Sequence, residues 1–88
     1  MKRDMNLVAS ILSCVEQHDV TDNDRIRTIY MSQAVNYYPN SPKLEQDQLD
    51  DELICKHVSL LVESGYLERQ SPSLTWLGHE FIDSLKKI

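Results

Sequence analysis

Apolar residues recur along this chain at helical spacing in several blocks, and polar residues separate the blocks. Leu7, Val8, Ile11, Leu12, Cys14 and Val15 make a broad apolar face over about three turns, as a core helix requires. Asp4 is placed to cap it, and Asp19 to Asp24, a run containing the loop and cap formers Thr21, Asp22 and Asn23, ends it. Leu53, Ile54, His57, Leu60 and Leu61 predict a second amphipathic helix, with Asp51, Glu52, Lys56, Ser59 and Glu63 mostly on its other face and Asp47 or Asp50 as its cap. Leu77, Phe81, Ile82 and Leu85 predict a last helix beginning at Thr75, with Lys86 and Lys87 where positive charge suits a helix C-terminus. Between the first two blocks, Ile26, Ile29, Tyr30, Gln33, Ala34 and Tyr37 fit a helical period while Thr28 to Met31 has strand propensity. We read Arg25 to Tyr38 as helix, with strand as the alternative, and Tyr38 to Pro42 as a proline loop.

Breakers organise the stretch from Asp50 to Trp76. Gly65 stops its helix, Tyr66 to Arg69 extends, and Ser71-Pro72-Ser73 turns the chain back into Leu74-Thr75-Trp76. Helix, glycine, strand, turn, strand is the second half of a winged helix-turn-helix. The expected fold is therefore mainly α with a small β-hairpin: a winged helix-turn-helix-like single domain over 1-88, its helix at 51-64 and its wing at 66-76. Gly78 costs about 1 kcal/mol against alanine in a helix, which implies close approach of another backbone.

Composition is that of a globular protein: 88 residues, 41% hydrophobic and 26% charged, enough for one core. Nine basic against fourteen acidic residues give a net charge of −5, which opposes tight nucleic-acid binding unless a local basic face compensates. Glu45, Asp47, Asp50, Asp51 and Glu52 concentrate acid before and within the 51-64 helix, while the cations are scattered. Cys14 and Cys55 each fall within an apolar helix face, so both are expected as buried free thiols in an intracellular protein. Leu7 to Leu12 is interrupted by Ser10, and no signal peptide or membrane span is expected.

Candidate chemistry is sparse. Paired as metal ligands, His57 and His79 would need a third donor, but Cys55 stands two residues from His57 and faces elsewhere. The expectation is structural: each imidazole partly buried and hydrogen-bonded, fixing its helix against the wing. His18 ends the first helix as a C-terminal charge partner. Trp76 is either a wing-base core residue, the preferred reading, or an exposed anchor. Tyr30, Tyr37 and Tyr38 either form a protein-binding patch beside the proline loop or cover the bottom of the core. With only Gly65 and Gly78 there is no phosphate-cradling loop, and no nucleophile-elbow motif is present, so neither enzymatic activity nor a cofactor is expected.

The opening Met1-Lys2-Arg3-Asp4-Met5-Asn6-Leu7-Val8, Ile54 with His57, and Leu74-Thr75-Trp76 followed by Gly78-His79-Glu80-Phe81-Ile82-Asp83 together resemble a family of small bacteriophage and prophage proteins defined as a domain of unknown function. The resemblance covers roughly half the chain and leaves out Thr21 to Gln48. Where members usually have aspartate, tyrosine and a longer wing, this chain has Asn6, Lys56 and only Gln70 to Ser73. The resemblance implies a winged-helix-like fold and intracellular action in a bacterium, and no reaction. Two functions follow. The first is a module that binds a bacterial host protein through Glu45, Asp47, Asp50, Asp51 and Glu52 or through Tyr30, Tyr37 and Tyr38. The alternative is a homodimeric regulator of double-stranded DNA, with Lys56 and Ser59 in the major groove and Arg69 and Gln70 on the backbone. Gly65, Thr75, Gly78, His57, His79 and Trp76 are given structural roles.

Overall fold

The computed structural model describes residues 4-37, 44-45, 47-69 and 73-86. Four helices follow in order: α1 (Met5–His18), α2 (Asn23–Tyr37), α3 (Asp51–Glu63) and α4 (Trp76–Lys86). Helix α1 packs against each of the others, most extensively against α2. Every residue from Asn6 to Val15 is buried, so α1 runs through the middle of the molecule and its neighbours assemble around it. Ile26 and Tyr30 from α2, Ile54 and Leu61 from α3, and Ile82 from α4 close the core on it, while Ala9 and Leu85 form a small adjoining cluster.

Local signals set the helix ends. Asp4, in extended conformation, accepts from the amides of Asn6 at 3.0 Å and Leu7 at 3.4 Å. At the other end Asp19 takes a left-handed conformation, φ 53°, and donates its N–H to the Val15 carbonyl. Asp22 begins α2 by accepting from Asp24 N–H at 2.9 Å, and the ambiguous segment is helical through Tyr37. Asp50, not Asp47, caps α3, accepting from Leu53 N–H at 2.7 Å.

The C-terminus of α3 is a Schellman motif. Gly65, φ 87°, donates to the Val62 carbonyl at 3.2 Å, and Tyr66 donates to that of Leu61 at 3.0 Å. Thr75 then starts α4: its hydroxyl accepts from Gly78 N–H at 3.1 Å and donates to the Gly65 carbonyl. One residue thus caps a helix and ties it to the end of the preceding one.

The hairpin is the correction. Among the described residues there is no strand, only an isolated antiparallel bridge between Leu67 and Leu74, so the winged helix-turn-helix expectation does not hold. Glu68 N–H reaches the Ser73 carbonyl and Thr75 N–H that of Tyr66, but among the described residues pairing goes no further. The Thr75 cap turns the chain into α4 at Trp76, leaving the returning arm too short for a strand of the usual three to ten residues.

Gly78 shows the close approach its position implied. A Cβ there would run into the Tyr66 carbonyl oxygen and stand 3.0 Å from Leu74 Cδ2. Gly78→Ala is therefore expected to destabilise the protein by roughly 1–3 kcal/mol despite alanine's better helix propensity. Urea unfolding monitored by circular dichroism measures this, and a stability gain would show that the α4 start yields freely.

Candidate functional site

The acidic residues of the run before α3 are exposed throughout, yet most of them are engaged by groups of the chain itself. Asp50 is the α3 cap, and Asp51 meets Arg27 Nη2 at 2.9 Å. Glu52 pairs with Lys56 at 3.1 Å, one helical turn on. Arg27 spans further, its Nε donating to the Leu49 carbonyl at 3.1 Å and Nη1 reaching Asp24 at 3.5 Å, so it fastens α2 to the start of α3. Glu45 and Asp47 remain at the surface, with the Glu45 carbonyl accepting from Gln48 and Leu49. These surface pairs contribute little individually; together they satisfy the charges that composition alone left open.

The tyrosines separate. Tyr30 is fully buried, which removes it from any surface patch. Its hydroxyl donates to Asp4 Oδ2 at 2.9 Å and accepts from Leu44 N–H at 2.6 Å. Burial, with the Asp4 carboxylate beside it and against the lowering effect of the Leu44 amide, pushes its pKa up to about 12. Tyr37 lies in the last turn of α2, and Tyr38 falls outside the described residues.

His57 is fully buried and hydrogen-bonded on both sides, though not toward a wing. Nδ1–H donates to the Leu53 carbonyl at 2.9 Å, and Nε2 accepts Asp4 N–H at 3.1 Å. This is the tautomer of a neutral imidazole joining α3 to the start of α1. His79 differs from its expected burial: its side chain is more than half exposed, with Nδ1 4.0 Å from the Glu16 carboxylate. Among the described residues, no group of three or more His, Cys, Asp or Glu side chains is placed to hold a metal ion.

Cys14 is buried, and burial pushes its thiol pKa up, with Arg25 pulling it down and Asp22 adding to the rise. Cys55 is exposed, against expectation, because it falls on the outer side of α3. His18 closes α1 beside Arg25, their ring and guanidinium nitrogens 3.5 Å apart. Ser59 and Arg69 are exposed, and Gln70 lies outside the described residues.

Exposed apolar side chains mark a different surface. Trp76 is 79% exposed, Leu77 54% and Leu60 39%. Trp76 is thus no core residue: it opens α4, with its indole N–H donating to Glu80 at 2.9 Å. Beside Leu60 lies a cleft of about 170 Å³ between the start of α1, the end of α3 and α4, bounded by Met5, Val8, Leu61, Ser64, Tyr66 and Phe81. Tyr66 and Phe81 pack with ring centroids 4.9 Å apart and planes tilted by 38°. Leu77 belongs to the same region, since a Cβ on Gly65 would stand 3.9 Å from its Cδ1. Helical spacing placed both leucines on a core face, but of the adjacent pair Leu60 and Leu61 only Leu61 is buried.

Comparison with protein-family models, with curated proteins and with solved structures found no match. Among the described residues no helix is long and apolar enough to cross a membrane.

Two internal polar groups give stability tests. Tyr30→Phe strands Asp4 Oδ2 and the Leu44 amide, an expected loss of roughly 1–3 kcal/mol. Tyr30 holds its proton more tightly folded than unfolded, so its contribution is complete below the unfolded value of about 10. That contribution fades as pH rises toward the folded value of about 12. The wild-type advantage over Tyr30→Phe in urea midpoint should shrink across that window; a constant difference would contradict the assignment. Asn6 is fully buried, and among the described residues neither side-chain atom has a hydrogen-bond partner. Asn6→Leu is accordingly expected to raise the thermal midpoint, and a fall would reveal a partner for the amide.

Proposed function

We propose that this protein is a non-enzymatic binding module, encoded by a phage or prophage, that acts in the bacterial cytoplasm by occupying a host protein. The observation that carries the reading is the exposed apolar side chains of Leu60, at the edge of the cleft, and of Trp76 and Leu77 in the first turn of α4. Tryptophan and other large side chains near a pocket are the residues from which binding hot spots are built. Glu63, which shares a depression with Leu60, and Glu80, which accepts the Trp76 indole N–H, are exposed and polar, the usual rim of such a surface.

The phage setting rests on the likeness of the two chain ends and the Ile54 and His57 helix to the phage family. Modulating a nucleic-acid-handling or defence protein of the host suits an acidic module, because such proteins carry basic surfaces. The DNA-regulator reading has less support. Lys56, its intended groove contact, is neutralised by Glu52 at 3.1 Å, and Glu63 follows two turns later on the same helix.

The deciding experiment runs two assays on the purified chain: retention of random duplex DNA at low salt, and affinity capture from bacterial lysate. One host protein retained in stoichiometric amount, with no DNA shift, is expected. Salt-sensitive DNA binding that Lys56→Glu and Arg69→Glu abolish would overturn the proposal.

A further inference from the structure

We propose that the cleft beside Leu60 seats one apolar side chain of a basic amphipathic helix in a partner protein, with that helix lying along the outward face of α3. The inference rests on the protein-binding reading and adds to it the surface and the chemistry of the partner.

Size argues for a single side chain. A cavity of about 150 Å³ lined by apolar groups accepts benzene, whereas small-molecule sites usually run to about 300–1,000 Å³. At about 170 Å³, this cleft takes one leucine, methionine or phenylalanine side chain. Its walls are built in advance. The Schellman motif and the Gly78 contact fix the Tyr66 backbone, and Phe81 braces its ring. Little ordering is left to oppose binding.

A shallow second depression along α3, bounded by Glu52, Cys55, Lys56, Ser59, Leu60 and Glu63, shares Leu60 with the cleft. The two together form a trough with an apolar hole at one end, the relief a helix with spaced anchors fills.

Charge selects the occupant. Glu52 and Glu63, both exposed, line the depression along α3. The cation in the trough, Lys56, is already paired with Glu52. A lysine or arginine flanking the anchor would meet Glu63, the carboxylate of the trough that Lys56 does not pair, which favours association and fixes register. A second copy of the chain suits this face poorly. Two-fold pairing would set the same carboxylates against each other, in a protein of net charge −5.

The test uses fluorescence anisotropy with a labelled helical peptide of lysine and leucine, its leucines at i, i+3, i+4 and i+7. Two companions replace the leucines by alanine or the lysines by glutamate. The basic amphipathic peptide should bind, the alanine version at least about tenfold more weakly, and the acidic version not measurably. Leu60→Lys and Glu63→Lys should each weaken binding by about tenfold, and Asp47→Lys, beyond the opposite end of α3, by less than about twofold. Both tested positions are exposed, and circular dichroism confirms folding; should Leu60→Lys unfold, Glu63→Lys and the peptide series still decide.

Equal weakening by Asp47→Lys and Glu63→Lys would overturn the cleft in favour of general acid attraction. Self-association in sedimentation that Leu60→Lys abolishes would overturn it in favour of a second copy. A host protein captured equally by wild type and Leu60→Lys overturns the cleft while leaving the protein-binding function standing. Cleft-specific peptide binding supports the site whatever the lysate holds.

Discussion

Asp4 holds the assembly together from the edge of a helix. Its carboxylate caps α1 through Oδ1 and accepts the Tyr30 hydroxyl of α2 through Oδ2, while its own amide is taken by His57 of α3. Tyr30 passes the connection on, accepting the Leu44 amide ahead of α3. A capping interaction alone is worth about 1 kcal/mol. Here the same residue also satisfies a buried phenol and a buried imidazole, either of which would be costly unpaired. The register of three helices is therefore set by one polar cluster at one end of an otherwise apolar core, and a shift of any helix by a turn would leave several groups unsatisfied together.

How much of this was legible depends on how far each signal reaches. The caps at Asp4, Asp50 and Thr75 and the stop at Gly65 act within one turn, and residue type and spacing disclosed each of them except the choice of Asp50 over Asp47. Gly78 was readable for the same reason: glycine in a helix start is unfavourable unless something close excludes a side chain. The failure lies between Tyr66 and Trp76. Extended propensity and a turn suggested two strands, but a strand exists only when paired, and the Thr75 cap competes for the residues of the returning arm. The helix start won because its hydroxyl also ties α4 to the Gly65 carbonyl, a tertiary gain that no hairpin pattern discloses. For Arg25 to Tyr37 the competition went the other way from strand propensity, since burying Ile26 and Tyr30 one turn apart against α1 needs the helical period.

Candidate surface residues were harder to read, because surface chemistry depends on pairings that linear sequence leaves open. The acids of 45-52 formed a cluster in composition; in space Asp50 serves its helix, Asp51 serves Arg27 and Glu52 serves Lys56. Histidine burial was foreseen for His57 because it lies on the apolar face, but its partner comes from the start of α1, far off in sequence. His79, at the start of the amphipathic α4, falls on the side turned to water.

The exposed leucines follow from the central helix. With α1 buried over most of its length, the other helices each spend one stripe on it, and any second apolar stripe they carry has no further core to enter. On α3 the first stripe is Ile54, His57 and Leu61, so Leu60 is left outside. On α4 it is Ile82 and Leu85, so Leu77 and Trp76 remain at the surface. A chain of this size has little stability to spend on unproductive exposure, and apolar side chains that a fold cannot bury internally are the ones a partner can. The same reasoning ranks the two ends of α3. At its N-terminus cap and ion pairs satisfy the polar groups, whereas at its C-terminus the Gly65 turn leaves Leu60 beside a preformed hole. Binding energy comes from groups not already satisfied, and at that end these are the Leu60 side chain and the Glu63 carboxylate.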